Sequence, residues 1–318
     1  MESVIEVSGL TKEYGAGRGV FDLNFTLVKG EVFGFLGPNG AGKTTTIRQL
    51  MGFIRPQKGS ARILGMDCFR DAKKIQAHVG YLPGELALPD DMTGEQFLRF
   101  MAGMKGISDL AEAKRLSELF ELDGKQRIRR MSKGTKQKLG ILNAFMAKPE
   151  ILILDEPTSG LDPLMQNRFL ELVHESRQRG ATVFLSSHLF EEAERTCSRV
   201  AILKKGRIAA IEEMDSLRKS KVKTYQFVFP GEKEAEKAAN EWDGAVRHEN
   251  RVEISVSGRE NLSLLLQKIA GCGVTDLQLR TQTLEDMFLG YYGEKKPQTE
   301  RGKHDDMDSF SPGMAGKL

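Results

Sequence analysis

The sequence predicts an α/β fold in which a glycine loop joins a buried strand to a helix, and three stretches predict it. Residues 31–36 (Glu-Val-Phe-Gly-Phe-Leu) form a short apolar run suited to a buried strand, and residues 44–51 have helical composition with no breaker. Between them, residues 37–44 read Gly-Pro-Asn-Gly-Ala-Gly-Lys-Thr, which fits G-x-x-x-x-G-K-[ST] at every fixed position. Residues 151–157 (Ile-Leu-Ile-Leu-Asp-Glu-Pro) are a continuous apolar run ending in two carboxylates, the pattern of a parallel strand covered on both faces.

The loop's residue types carry its chemistry. Gly37, Gly40 and Gly42 let the backbone curl so that successive N–H groups, including those of Pro38's neighbours Asn39 and Ala41, face a polyphosphate. The helix that follows, from Thr44 and Thr45 onward, adds its positive N-terminal end. Lys43 is expected to reach the β- and γ-phosphates, and the Thr44 hydroxyl to ligate Mg²⁺. A glycine-rich turn that happens to carry a lysine is the alternative, and the strand–loop–helix context disfavours it. Carboxylates at the C-terminal end of a parallel strand stand where open α/β sheets place ligands. Asp155 is therefore expected to hold Mg²⁺ through water, with Glu156 orienting or deprotonating an attacking water.

Composition limits the rest. The chain has 318 residues, room for about two domains. Its 40% apolar and 29% charged residues are ordinary for a globular protein, and 47 basic against 44 acidic side chains nearly cancel. No nucleic-acid partner is expected from that balance. No apolar run approaches the ~20 residues of a membrane-spanning helix, and the first residues lack a signal peptide's basic-then-apolar layout. Cys68, Cys197 and Cys272 lack metal-type spacing and read as ordinary thiols of a reduced cytosolic compartment. A membrane role has to come through a partner.

Upstream of the loop, residues 5–10 and 20–27 read as strands. In the second, Phe21, Leu23, Phe25 and Leu27 alternate with polar residues, so one face is buried. Tyr14 lies in the turn between them, either as a half-buried anchor or as a ring on which an adenine stacks. Short strands are expected at 59–65 and 78–82, then a helical stretch over about 92–147. Thr93 with Gln96, and Asp109 with Glu112, have capping-box spacing. Ser132 is a good N-cap for a helix running through Leu139, Leu142 and Phe145. Ser159-Gly160-Leu161-Asp162 then leads into a helix with Pro163 at its first position, stopped at Gly180. Residues 182–186 form another buried strand, from which His188 emerges on the same edge as Asp155 and Glu156. His78, His174, His248 and His304 have no such setting and read as structural or surface residues.

Taken in this order, Tyr14, the phosphate loop, the helical insert, Met131-Ser132-Lys133-Gly134-Thr135, the carboxylate strand, residues 159–162 and His188 resemble the ATPase subunit of an ATP-binding cassette (ABC) transporter. The resemblance covers roughly the first 215 residues. It implies a P-loop ABC ATPase core over 1–220, a mixed sheet with an antiparallel β subdomain and a helical subdomain at about 86–147. It also implies ATP and Mg²⁺, and a head-to-tail dimer with a second copy of the chain. Each ATP then meets the phosphate loop of one copy and the signature helix of the other. Ser132 and Gly134 would contact the γ-phosphate in trans at a helix N-terminus. Asp162 would sit at the dimer seam, and His188 would hold the γ-phosphate and the attacking water. Two features depart from the family pattern. Lys133 and Thr135 replace a glycine and the glutamine of Leu-Ser-Gly-Gly-Gln. Gly84 stands where a glutamine is expected after Tyr81-Leu82-Pro83, with Glu85 next. Glu85 is either a substitute Mg²⁺ partner or a solvated loop residue.

From about residue 223 the pattern changes. A strand at 224–229, a helix at 232–242, a hairpin pair at 245–248 and 251–256, a helix at 260–270 and a strand at 274–279 follow one another. That order, β-α-β-β-α-β, is that of a small ferredoxin-like α+β unit, here assigned to 221–293 with a closing helix at 283–289. Residues 294–318 are polar and aperiodic, a disordered tail. The C-terminal unit resembles that of cassettes serving antibiotic-resistance and sodium-type exporters. The expected function is ATP hydrolysis that powers export by separate membrane-embedded permease subunits, with the cassette peripheral on the cytoplasmic face of the membrane. The alternative is a stand-alone cassette ATPase acting on a non-membrane partner such as the ribosome.

Overall fold

The computed structural model describes residues 2–221, 223–242, 244–256, 267, 269 and 272–287. The chain opens with an antiparallel pair, β1 (Ser3–Glu13) and β2 (Gly19–Val28). Next, β3 (Val32–Leu36) enters a second sheet and ends at the glycine loop, where α1 (Lys43–Leu50) begins. The chain returns through β4 (Lys58–Ile63) and β5 (Met66–Asp67), giving a first sheet of order β2-β1-β4-β5. After α2 (Ala72–Ile75) and β6 (Val79–Leu82) come α3 (Gly94–Met104), α4 (Ala111–Leu119) and α5 (Lys133–Phe145). Then follow β7 (Ile151–Asp155), α6 (Pro163–Gln178), β8 (Thr182–Ser187), α7 (Phe190–Thr196), β9 (Arg199–Lys204), β10 (Arg207–Glu213) and α8 (Met214–Ser220).

The second sheet has the order β10-β9-β3-β8-β7-β6, parallel except for the β10 edge. Every residue of β3, β7 and β8 is buried, because the sheet is covered on both faces. On one face Phe25 of β2 meets Phe35 of β3 at 5.4 Å, and Phe35 meets Phe184 of β8 at 5.1 Å. On the other face α5 and α6 pack their apolar sides, with Phe145 edge-on to Phe169 at 6.2 Å. Since β8 lies between β3 and β7, the glycine loop, the segment reaching His188, and the pair Asp155–Glu156 leave the sheet side by side. Leu36 is in register with Ser187, and Asp155 with Ser186.

The helical stretch expected over 92–147 is three helices and a 3₁₀ turn at Ile128–Arg130. The capping box at Thr93 forms in full with Gln96. The one expected at Asp109 does not, because α4 starts one residue later, with Leu110 as N-cap. Glu112 is instead drawn to Arg115 (2.6 Å) and Lys148 (3.1 Å), charged partners that outcompete a backbone N–H.

The C-terminal strands are β11 (Lys223–Val228), β12 (Val246–His248), β13 (Arg251–Val256) and β14 (Asp276–Thr281), with α9 (Glu232–Glu241) after the first. They form an antiparallel sheet of order β12-β13-β11-β14. Tyr225, Phe227, Val252 and Ile254 share one core with Trp242, which meets Phe227 edge-on at 5.3 Å. Beyond β14 the chain returns to the main body. Leu284 is 1% exposed and buried in the same apolar cluster as α5 and α6, where Leu170 and Phe190 also pack. Residues 284–287 are helical. The rest of the expected closing helix, most of the one at 260–270 and the tail at 294–318 lie outside the described residues.

Candidate nucleotide site

The glycine loop curls because Gly40 and Gly42 adopt φ of 80° and 112°, a region side chains disfavour. Gly37 N donates to Ser187 O (3.3 Å) and Ala41 N to Pro38 O (3.1 Å), which ties the loop to the end of β8 and closes its turn. Pro38, Asn39 and Gly40 form an exposed rim. No side chain caps α1, so its first N–H groups are left for an anion. Lys43 is buried and donates from Nζ to Gly37 O (2.7 Å) and Pro38 O (3.3 Å), and it pairs with Glu156 Oε1 at 3.1 Å. Thr45 lies half-buried in the first turn of α1.

The carboxylates are held from several elements. Asp155 is fully buried, and its two oxygens accept from Thr44 Oγ1 (2.8 Å) and from Ser186 Oγ. Glu156 has a left-handed φ of 49°, a conformation that costs a non-glycine residue roughly 1–3 kcal/mol and persists where its surroundings hold it. Its N–H donates to Ser186 O (3.1 Å), and its Oε2 lies 2.5 Å from His188 Nδ1. Glu156 therefore stands between Lys43 and His188. Beneath them, burial and the Asp155 charge push the Tyr81 hydroxyl up to about 12, so it stays protonated. A side chain at position 84 would bring its Cβ to 3.2 Å from Asp155 Oδ2. It is thus Gly84 that lies against Asp155, while Glu85 is exposed.

The signature turn is interlocked with the segment after Glu156. Ser132 caps α5, its Oγ accepting from Thr135 N (3.1 Å). A Cβ on Gly134 would stand 2.5 Å from Gly160 O, so only glycine permits the approach. Lys133 Nζ donates to Ser159 Oγ (3.1 Å), and buried Gln137 donates to Pro157 O (2.8 Å). Asp162 is exposed and caps α6, its Oδ1 accepting from Met165 N (3.0 Å). Tyr14 is 51% exposed, with the Lys12 ammonium 5.9 Å from its ring centroid, so it is not a packed anchor. Tyr14, Ser132 and Asp162 share no hydrogen bond with the cluster of Lys43, Asp155, Glu156 and His188. Sequence reasoning missed Ser186, Gln137 and the Lys133–Ser159 contact. A hydroxyl ending an otherwise apolar strand and a glutamine on the buried side of α5 were the available signals.

The residues fit a magnesium nucleotide. Thr44 and Asp155 are paired oxygen donors beside the loop, the hard ligands Mg²⁺ takes. Among the described residues no group of three or more His, Cys, Asp or Glu could hold a metal alone. Phosphate oxygens and water would complete the shell, as is usual for this ion.

The sequence profile described as ABC transporter matches residues 20–159. Over 311 residues the chain is 34% identical to the uncharacterized ABC transporter ATP-binding protein YhcH of Bacillus subtilis (strain 168), covering 94% of this chain and 99% of that one. The chain belongs to the ABC transporter ATP-binding proteins. The cassette is also 32% identical over 304 residues to the bacitracin transport ATP-binding protein BcrA of Bacillus licheniformis, covering 92% and 98%. A dimeric, post-hydrolysis structure of the cassette MJ0796 bound to ADP and Pi shares its fold. The TM-score is 0.61 at 21% identity, over 66% of this chain and 98% of that one. As an ABC ATPase the chain binds and hydrolyses ATP and works with transmembrane permease subunits. No helix among the described residues is long and apolar enough to cross a membrane.

Proposed function

We propose that this cassette powers export through a separate permease by hydrolysing ATP in sites shared head-to-tail by two copies. The observation that carries the reading is the meeting of Lys43, Glu156 and His188 at 3.1 and 2.5 Å, at the mouth of the phosphate loop. In this reading the N–H groups of residues 37–45 and Lys43 bind the β- and γ-phosphates, and Tyr14 stacks on the adenine. Thr44 and Asp155 hold Mg²⁺, with Glu85 as a further carboxylate one residue from the Asp155 contact. The ion supplies positive charge to the phosphate oxygens. Glu156 takes the proton of the attacking water or orients it, and His188 holds the γ-phosphate. The protein contributes positioning and charge stabilisation to an in-line transfer.

Ser132 and Gly134 serve the site of the second copy, and Asp162 lies at the seam. Exposure of Ser132 at the N-terminus of α5 supports this, as does the two-copy assembly of MJ0796. The name of BcrA, a bacitracin transport ATP-binding protein, supports an antibiotic-transport setting. The strand order β12-β13-β11-β14 supports a ferredoxin-like unit at 221–293, distinct from the 1–220 cassette and followed by the 294–318 tail. The cassette sits on the cytoplasmic face of the membrane, where ATP and permease meet.

Glu156→Gln should bind Mg-ATP yet lose hydrolysis by about a hundredfold or more, because an amide cannot accept the water's proton. It should then accumulate as an ATP-bound dimer on size-exclusion chromatography. Normal turnover by this variant would remove Glu156 from the role. Mixing Ser132→Arg with Lys43→Ala, each inactive alone, should restore partial activity, since one composite site then carries neither change. Mixed dimers without activity would count against the head-to-tail arrangement.

A further inference from the structure

Glu192 is a buried carboxyl for which the hydrolytic reading has no use. It lies one turn into α7, the helix that begins just after His188, and is 6% exposed. Neither of its carboxyl oxygens has a hydrogen-bond partner of normal geometry. Its nearest hydroxyls are those of Ser187 and Thr158. Ser187 immediately precedes His188, and Thr158 is two residues beyond Glu156. Glu192 is therefore wedged between the two segments that present the catalytic pair.

An ionised carboxylate is poorly suited to that place. Burial is the main cause that pushes Glu192 up to about 7, and the Glu156 charge adds to it, while Ser187 and Thr158 pull the other way. Cys197, at the end of α7, is also close enough to feel its charge. On its open side lies a cleft of about 620 Å³ shared with His188, Arg195, Lys221 and Glu285. The Lys221 ammonium is engaged by Glu194. In the protonated form Glu192 can donate to one hydroxyl and accept from the other, joining the two segments. Ionised, it can only accept, and it sets a further negative charge, away from water, beside Glu156.

We propose that Glu192 is a positioning residue that, in its protonated form, holds the Glu156 and His188 segments in register for hydrolysis. The proposal rests on the reading of Glu156 and His188 given above. ATP hydrolysis by the full-length chain across about pH 6 to 8.5 tests it, comparing wild type with Glu192→Gln, which fixes the neutral form. Every other side chain is common to both proteins, so the rate of Glu192→Gln divided by that of wild type isolates position 192. The Glu192→Gln to wild-type ratio should rise with pH by roughly threefold or more, because the neutral fraction of the wild-type carboxyl falls about tenfold per pH unit above its pKa. ATP affinity should differ by less than about twofold, since no phosphate contact changes. Glu192→Leu, which fills the space without hydrogen bonds, should lower kcat at every pH; if it does not fold, the Glu192→Gln ratio decides alone. Superimposable profiles for wild type and Glu192→Gln, or wild-type kcat in Glu192→Leu, overturn the proposal. Glu156→Gln in the same series separates the two readings. If it hydrolyses normally, both fall; if it is inactive while the Glu192→Gln profile matches wild type, only the Glu192 role falls.

Discussion

The six-stranded sheet and the C-terminal sheet are built on different rules. In β3, β7 and β8 every residue is buried, so the strand interiors are apolar and polar side chains appear only at strand ends. Those ends converge, and their hydroxyls and carboxylates bind one another: Thr44 and Ser186 on Asp155, Lys43 and His188 on Glu156. In the C-terminal sheet, among the described residues, one face carries the apolar core. Along β11, Tyr225 and Phe227 are buried while Thr224 and Gln226 on the other face are half-buried. Even on the covered face, Leu279 and Leu277, paired directly across from Tyr225 and Phe227 on the edge strand β14, are 54% and 48% exposed. A sheet covered twice concentrates its polar chemistry at its ends. A sheet covered once spreads it along the strands, where Thr224 meets Ser255 and Gln226 donates to Glu253.

That contrast can be broken by truncating one fully buried ring in each sheet. Phe184→Ala and Phe227→Ala both remove side chains with no exposure, and each should cost roughly 3–5 kcal/mol. Only Phe184→Ala should remove ATP binding as the protein unfolds. Phe227→Ala should lower an early, separate transition seen by Trp242 fluorescence, since that ring packs on Phe227. Equal losses of ATP binding would mean the two regions melt as one. Leu284 sharpens the question, because it follows the C-terminal sheet but is buried in the core that packs on the six-stranded sheet. Leu284→Ala should cost roughly 2–4 kcal/mol and, unlike Phe227→Ala, lower the melting temperature of the ATP-binding body. An unchanged cassette transition would place Leu284 outside that cooperative unit. The smallest effect is expected at the edge: Leu279→Ser should cost less than about 1 kcal/mol, given its exposure. A larger loss in urea unfolding would show that β14 is covered on the face where Leu279 stands.

The sequence by itself determined whatever depends on neighbours along the chain. The strand–loop–helix at the glycine loop, the carboxylate strand, the caps at Thr93 and Ser132 and the helix start at Pro163 each rest on a few consecutive residues, and each stands where the pattern put it. Local spacing misled at Asp109, where the partners of Glu112 came from Arg115 and distant Lys148. Only the tertiary structure decided which ends meet. Placing β8 between β3 and β7 brings Ser186 onto Asp155 and His188 onto Glu156. Packing α5 against the segment after Glu156 sets Lys133 on Ser159 and leaves Gly134 no room for a side chain. The returning chain buries Leu284, and α7 carries Glu192 between the segments of Glu156 and His188. The reason is physical: hydrophobic periodicity records that a face is buried, but burial is non-directional and does not record against what. Sheet order and helix placement supply that, and they are settled by the whole chain at once.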